Sequence, residues 1–143
     1  MNLAEEAKII SILPPIDTND GAVNSDVFSM KDYQHCTIIV TSGVSAGAVS
    51  TFTIEECSDF VPTATTAIGF RQYAEITAAG DTLATGAAVA VGGTAMSTNN
   101  GIFYVIEIDA NELTAGYPCL RIRFTDPGAA QLIAAIAILT EPR

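Results

Sequence analysis

Hydrophobic and polar residues alternate along several short stretches of the chain, and this period of two is typical of half-buried β-strands. The clearest example covers residues 49–56. Its two predicted faces carry Ser50, Phe52, Ile54 and Glu56 on one side and Val49, Thr51, Thr53 and Glu55 on the other. Other extended or alternating stretches lie at 35–41, 65–73, 101–109 and 119–125. These stretches predict the main strands of the protein.

The remaining stretches are shorter or less regular. Residues 8–13 predict a first strand that stops at Pro14 and Pro15, because proline has no N–H to donate to a sheet. The apolar run 131–139 contains enough alanine to allow a helix, but its isoleucines and flanking turns favour a strand buried on both faces. A Gly/Ser turn is predicted at 42–46 and a helical turn at 111–113. A weak strand is predicted near 87–91, within a stretch rich in Ala, Gly and Thr, 78–93.

About eight or nine short strands without long helices predict an all-β fold, a single antiparallel β-sandwich or jelly roll. We expect residues 17–143 to form this domain and residues 1–16 to be an N-terminal arm or its first strand. The predicted core contains Ile38, Val40, Phe52, Ile54, Ile68, Phe70, Ile106, Ile122, Phe124 and Ile136.

Length and charge restrict the classes of partner. A chain of 143 residues is sized for one domain. Its 16 acidic and 6 basic side chains give a net charge of −10, which disfavours nucleic acid and anionic membranes. No apolar run is long enough for a transmembrane helix, and Glu5 and Glu6 are unlike the basic start of a signal peptide. We therefore expect synthesis in the cytoplasm.

The three cysteines predict neither a disulfide framework nor a zinc site. Cys36, Cys57 and Cys119 are odd in number, widely spaced and contain no CxxC pair. We expect three small buried thiols that stay reduced. If a bridge formed, the pair closest in sequence, Cys36 and Cys57, would be the first candidate.

No arrangement of reactive side chains predicts catalysis. His35 is the only histidine, and its neighbour Cys36 points to the opposite face of the same strand, so the two cannot form a nucleophile–base pair. Glu55 and Glu56 are likewise on opposite faces and cannot act as an acid–base couple. We interpret His35 as a strand-edge residue with satisfied hydrogen bonds, and we expect no enzyme activity and no cofactor.

Residues 17–21 only partly resemble a calcium-binding loop. Gly21 comes one residue early for that motif, and Phe28 occupies the position of its closing glutamate. A plain Asx turn within residues 17–21 is the better interpretation, and no metal is expected. The arginines Arg71, Arg121 and Arg123 are expected to pair with the abundant acids.

Two segments carry a resemblance to a known family. The first combines Leu13-Pro14-Pro15-Ile16-Asp17, residues 21–26, Met30-Lys31-Asp32-Tyr33 and Thr41-Ser42-Gly43-Val44; the second is residues 118–130 with the ending 137–143. Together they resemble the small capsid decoration, or cement, proteins of tailed bacteriophages. The similarity covers most of the chain except residues 74–100. It rests on turn and strand patterns, and it implies no catalytic residue.

The resemblance implies a virion structural protein, made in the host cytoplasm, that binds the major capsid protein on the outside of the head. It also implies a homodimer or homotrimer, since decoration proteins sit on two- or three-fold axes. Two other interpretations stay open: a tail or head–tail connector protein, and a carbohydrate-binding β-sandwich. The absence of Trp disfavours the last, whose platforms would be Tyr33, Tyr73, Tyr104 or Tyr117. Copy number per particle would separate decoration from connector.

The N-terminal segment is the predicted interface with a neighbouring copy or with the capsid. Its apolar residues could fill pockets while a stiff proline pair limits its motion. The predicted interface residues are Ile10, Ile12, Leu13, Pro14, Pro15 and Ile16. The alternative is an ordinary first strand of the domain's own sheet.

Overall fold

Two antiparallel β-sheets form a sandwich in the computed structural model of the protein, which describes residues 2–19, 21–77 and 82–143. The strands are β1 (Lys8–Asp17), β2 (Val23–Asn24), β3 (Phe28–Ser29), β4 (Tyr33–Ser45), β5 (Thr51–Cys57), β6 (Thr65–Ile68), β7 (Phe70–Glu75), β8 (Ala87–Val89), β9 (Thr94–Ala95), β10 (Ile102–Asp109), β11 (Cys119–Phe124) and β12 (Gln131–Pro142). A short helix, α1 (Leu3–Glu6), precedes β1, and the expected helical turn is a 3₁₀ turn, Ala110–Glu112. The predicted all-β antiparallel sandwich is confirmed.

Each sheet joins strands that are distant in sequence. Sheet A has the order β1-β12-β4-β10-β7-β8. Sheet B has the order β2-β11-β5-β6, with β3 also pairing with β11 and β9 with β5. The chain therefore crosses between the two sheets several times, and β1 is an edge strand of sheet A.

The hydrophobic core lies between the sheets and centres on Phe52. The Phe52 ring centroid lies 5.9 Å from that of Phe70, 5.3 Å from that of Tyr104 and 6.1 Å from that of Phe124. The predicted core residues Ile38, Val40, Phe52, Ile54, Phe70, Ile106, Ile122 and Phe124 are buried, and Ile68 packs against them half-buried. The alternating pattern thus identified the inward faces of most strands.

The last strand departs from its prediction, because β12 is buried on one face and not on both. Ile133, Ala135 and Leu139 point into the core. Ile136, which was predicted to be a core residue, is 37% exposed on the opposite face. The sequence shows that both faces of β12 are apolar, but sheet B covers only one of them.

The first strand continues through Pro14 and Pro15, contrary to the prediction that it stops there. Leu13 pairs with Ala135 of β12 and Ile16 pairs with Ile133, so that the two prolines lie opposite a single residue of β12. This arrangement is a β-bulge, in which backbone groups leave the ladder of sheet hydrogen bonds. Prolines are tolerated at such a position and on an edge strand because no N–H is required there.

Two local predictions are also corrected. The stretch 65–73 is not one strand, because the chain changes sheets at Gly69, between β6 in sheet B and β7 in sheet A. A Cβ atom at Gly69 would lie 3.0 Å from the carbonyl oxygen of Val89, so this crossing favours glycine. The turn predicted at 42–46 is mostly the end of β4, which reaches Ser45. The weak strand near 87–91 is confirmed as β8, whereas residues 78–81 of that stretch lie outside the described residues.

Candidate interaction site

The predicted N-terminal interface is a strand of the chain's own sheet, with buried and exposed parts. Its residues are Ile10, Ile12, Leu13, Pro14, Pro15 and Ile16. Ile12 and Leu13 are buried in the core, contrary to the expectation that the segment lies outside it. A bulge explains this burial: Ser11 pairs with Ile136 and Leu13 with the next residue, Ala135, so Ile12 is inserted and also faces inward. Ile10 is half-buried, and the exposed part is the proline segment, residues 14–16.

Hydrogen bonds anchor the proline segment at its C-terminal end. The Thr18 backbone N–H and hydroxyl both donate to the Gln131 carbonyl, at 3.0 and 3.2 Å. The Gln131 N–H donates to the Asp17 carboxylate at 3.2 Å. The same carboxylate accepts the Asn19 N–H at 3.0 Å, which confirms the predicted Asx turn, although Asp20 lies outside the described residues. An exposed apolar segment is thus held firmly to sheet A.

A second exposed apolar site follows β5 and was not predicted from the sequence. Phe60 is 64% exposed and Val61 is 84% exposed. The Val61 N–H donates to the Asp59 carboxylate at 3.0 Å, which fixes a turn at this point. An isolated Phe-Val pair carries no periodic signal that would distinguish an exposed segment from a core segment.

The strand registers define an apolar surface on the outer face of sheet A. Ile136 of β12 is the register partner of Ile39 of β4, Ile39 pairs with Val105 of β10, and Val105 pairs with Tyr73 of β7. These four residues therefore form a continuous row across four strands. Next to it, a hollow of about 100 Å³ is lined by Ile39, Thr41, Ala134, Ala135 and Ile136.

Charged residues border this row at one end. Glu107 and Arg71 are register partners on β10 and β7. His35 on β4 is hydrogen-bonded on both ring nitrogens: Nε2 lies 2.7 Å from the Glu107 carboxylate and Nδ1 lies 2.7 Å from that of Asp109. The Thr37 hydroxyl also donates to Glu107 at 2.7 Å. The hydrogen bonds expected for His35 are present, but β4 is an interior strand and not an edge strand.

The two carboxylates change the protonation of His35. Partial burial lowers the pKa of His35, but hydrogen bonds and charge interactions with Asp109 and Glu107 outweigh it and leave the pKa above its ordinary value. The imidazolium form is therefore favoured between these acids. Cys36 lies on the opposite face and is fully buried, as predicted, so it has no access to the imidazole.

All three cysteines are buried and unbridged. Cys57 of β5 is the register partner of Cys119 of β11, whereas Cys36 lies in the other sheet. The predicted candidate pair, Cys36 and Cys57, is therefore wrong, because sequence proximity did not reveal which strands are adjacent. Burial raises the pKa of Cys57 to about 11 and also raises the pKa of Cys119.

The adjacent glutamates on β5 have separate structural roles. Glu55 forms an ion pair of 2.6 Å with Arg121, its register partner on β11, which confirms the predicted pairing of this arginine. Glu56 is buried on the other face and accepts the Thr114 N–H at 2.8 Å. Arg71 instead donates to the Tyr73 hydroxyl and to the Gly86 carbonyl.

Within residues 2–19, 21–77 and 82–143, no three His, Cys, Asp or Glu side chains are arranged to hold a metal ion. No helix of this part of the chain is sufficiently long and apolar to cross a membrane.

Of the four candidate carbohydrate platforms, Tyr104 is buried and its hydroxyl accepts the Ser97 N–H at 2.8 Å.

Comparison with known proteins gives information on the fold. No protein family model and no curated protein matches the chain. The fold is similar to that in a crystal structure of the SPBc2 prophage-derived protein YomS, with a TM-score of 0.53, 11% identity and 93% of each chain covered. A structure of infectious bursal disease virus, Gx strain, gives a TM-score of 0.30 at 11% identity, and the chain spans only 42% of that protein. The second similarity is too weak to carry an argument, and the first shows a shared sandwich fold.

Proposed function

We propose that this protein is a virion structural protein of a tailed bacteriophage that binds the outside of the head as a decoration, or cement, protein. The observation that carries the proposal is the proline segment, residues 14–16, an exposed apolar surface on a rigid sheet edge. The resemblance of its strand and turn motifs to cement proteins supports the proposal. A fold shared with a prophage-derived protein is consistent with it.

The proposed binding mechanism uses a preformed surface. Two consecutive prolines restrict the backbone before binding, so less conformational entropy is lost when the segment docks. The buried Ile12 and Leu13 connect the segment to the core, and Thr18 and Asp17 connect it to Gln131. The proposed partner is the major capsid protein, and contact by many copies would stabilise the shell.

Net charge supports the same assignment. A net charge of −10 opposes non-specific aggregation of free copies and repels nucleic acid and anionic lipid. We propose synthesis in the host cytoplasm and assembly on the capsid exterior as a homodimer or homotrimer. An alternative location is the tail or the head–tail connector.

The binding surface is tested with capsids that lack this protein and with the variant Ile16→Asp. The matched control is Val91→Asp, since Val91 is also exposed but follows β8 at the opposite edge of sheet A. We expect Ile16→Asp to weaken capsid binding at least about tenfold, because it places a charge in an apolar contact, and Val91→Asp to bind normally. Equal binding by both variants would exclude the proline segment as the capsid contact. Point variants are preferred to deletion of residues 1–16, because deletion also removes Ile12 and Leu13 from the core.

Mass-spectrometric stoichiometry of purified virions tests the location. A decoration protein covers symmetry-related sites over the whole shell and is present in many copies, on the order of hundreds. A connector or tail protein occupies one vertex and is present in few copies. A low copy number would therefore favour the alternative.

A further inference from the structure

Strand β12 carries apolar side chains on both faces, yet only one of those faces is covered. A strand that is apolar on both faces is normally buried on both. On the open face, Leu132 is 45% exposed and Ile136 is 37% exposed. The row Ile136–Ile39–Val105–Tyr73 extends this surface across the middle of sheet A.

Charges on this face are nearly balanced, in contrast to those of the whole molecule. On the outer side of β1, β12, β4, β10 and β7, the acidic residues are Asp17, Glu75, Glu107 and Asp109, and the basic ones are Arg71 and, when protonated, His35. The chain as a whole carries a net charge of −10. The charges of this face therefore contribute only a small part of the repulsion between two copies that approach through it.

The size of the face suits an interface between two small proteins. Strand β1 lies beside β12 and extends the four strands of this row to five. Five strands about 4.8 Å apart and seven residues about 3.4 Å apart define an area of roughly 24 Å by 24 Å. Two such faces in contact bury about 1,150 Å², which is at the low end of specific protein–protein interfaces. A dimer of moderate affinity is consistent with this area.

An aromatic residue and a hollow lie at matching positions on this face. Ala134 of β12, Thr41 of β4 and Phe103 of β10 are consecutive register partners, so Ala134 and Phe103 lie one strand to either side of β4. The hollow of about 100 Å³ lies at Ala134. A two-fold axis along β4 would place the Phe103 ring of one copy over the Ala134 hollow of the other, and the reverse contact would form at the same time.

We propose that a second copy of this chain packs on the outer face of sheet A, giving a two-fold dimer with the two sheets face to face. Phe103 of each copy fills the hollow at Ala134 of the other, and Ile136, Ile39 and Val105 of both copies form the apolar centre. The sheets would be about 10 Å apart, the usual distance for packed sheets. Of the homodimer and homotrimer named in the proposed function, this proposal selects the homodimer. It rests on the proposed function only for the place where the dimer acts, the capsid exterior.

The first test is the oligomeric state of the purified full-length protein by sedimentation equilibrium between about 1 and 200 µM, a range that covers weak and transient interfaces. We expect a monomer–dimer equilibrium. Ile136→Asp should raise the dimer dissociation constant at least tenfold, while the control Val91→Asp leaves it unchanged. A monomer at every concentration, or a dimer unaffected by Ile136→Asp, would overturn the proposal.

A size exchange tests the contact itself and does not depend on one variant folding correctly. Phe103→Ala and Ala134→Phe should each weaken the dimer, the first by removing the ring and the second by filling the hollow. The double variant restores a large residue opposite a small one, and we expect it to recover dimerisation. Failure of the rescue in a double variant with an unchanged circular dichroism spectrum would overturn the assigned geometry.

Capsid binding by the same variants separates this inference from the proposed function. If dimerisation is lost in Ile136→Asp while the protein still binds capsids through residues 14–16, both proposals are supported. If the wild type is monomeric and Ile136→Asp loses capsid binding, the occupant of this face is the shell and the dimer is excluded. If dimers form and no capsid binding is found, the dimer stands and the proposed function fails.

Discussion

Single residues of the core determine how strongly the two sheets are held together, and among the described residues Phe52 contacts three other aromatic rings. Phe52→Ala removes contacts with Phe70, Tyr104 and Phe124 and leaves a cavity. We expect it to lower the free energy of unfolding by about 3–5 kcal/mol, measured by urea denaturation. Phe60→Ala is the matched control, because Phe60 is 64% exposed and its loss should change stability little. Equal effects of the two substitutions would contradict the assigned core.

His35 is expected to make stability depend on pH. Its pKa is raised above the ordinary 6.5, because the Asp109 and Glu107 carboxylates outweigh partial burial. Protonated His35 therefore stabilises the folded state; this contribution is complete below the unfolded pKa and is lost as pH rises through the folded pKa. Since these groups are partly exposed, the contribution is at most about 1 kcal/mol.

The measurement compares wild type with His35→Gln by urea denaturation at pH 5.5 and pH 9. At pH 5.5 we expect wild type to have the larger free energy of unfolding. At pH 9 we expect the difference in this free energy between wild type and His35→Gln to be smaller. A difference that is the same at both pH values would show that the ion pairs of His35 do not contribute.

At the level of elements, the register of β5 and β11 brings Cys57 and Cys119 together. Directly opposed residues of antiparallel strands have Cα atoms about 4.5–5.5 Å apart, within the range that a disulfide spans. The raised pKa values of both thiols keep them protonated at neutral pH, so the purified protein should contain three free thiols. We expect diamide at pH 9 to form an intrachain Cys57–Cys119 bridge and to leave Cys36 reduced.

Thiol titration before and after diamide treatment, followed by peptide mass spectrometry, measures this outcome. The bridge closes a loop of about 60 residues, and loop entropy predicts a gain of up to about 4 kcal/mol in the free energy of unfolding. The variant Cys119→Ser is the control and should form no intrachain bridge. A bridge that includes Cys36 would mean that the strand order of the sandwich is wrong.

A strand could be predicted from the sequence where hydrophobic and polar residues alternate along it. Phe52 and Ile54 on β5, and Ile122 and Phe124 on β11, point inward because residues two apart share a face. Ile136 was assigned to the wrong environment because an apolar pattern on β12 does not show whether a second layer covers it. The bulge at Pro14 and Pro15 depends on the register with β12, a strand more than 110 residues away. A local pattern contains no information on that pairing.

The candidate site was predictable only in part for a similar reason. The exposed proline segment was identified because consecutive prolines are visible in any sequence. Burial of both Ile12 and Leu13 depends on the bulge between Ser11 and Leu13, and exposure of Phe60 and Val61 depends on the turn fixed by Asp59. Neither feature leaves a periodic signal.

For the whole molecule, the net charge of −10 opposes any contact between copies. Raising the ionic strength from about 0.01 to 0.15 M shortens the Debye length from about 30 to 8 Å and screens this repulsion. We therefore expect the dimer dissociation constant to fall as salt is added. Sedimentation equilibrium at the two ionic strengths measures this dissociation constant. A dimer that dissociates as salt is added would indicate that ion pairs, and not an apolar face, hold the two copies together.

The bulge at Pro14 and Pro15 has a further consequence for crowded solutions of this protein. An edge strand exposes backbone N–H and C=O groups that template the addition of other strands, and this is a route to fibrils. Two prolines without N–H groups interrupt that template in the second half of β1, and the local bend of the bulge moves the edge out of line. The chain can thus stay dispersed at high concentration, since its first strand offers no uninterrupted edge on which a filament could grow.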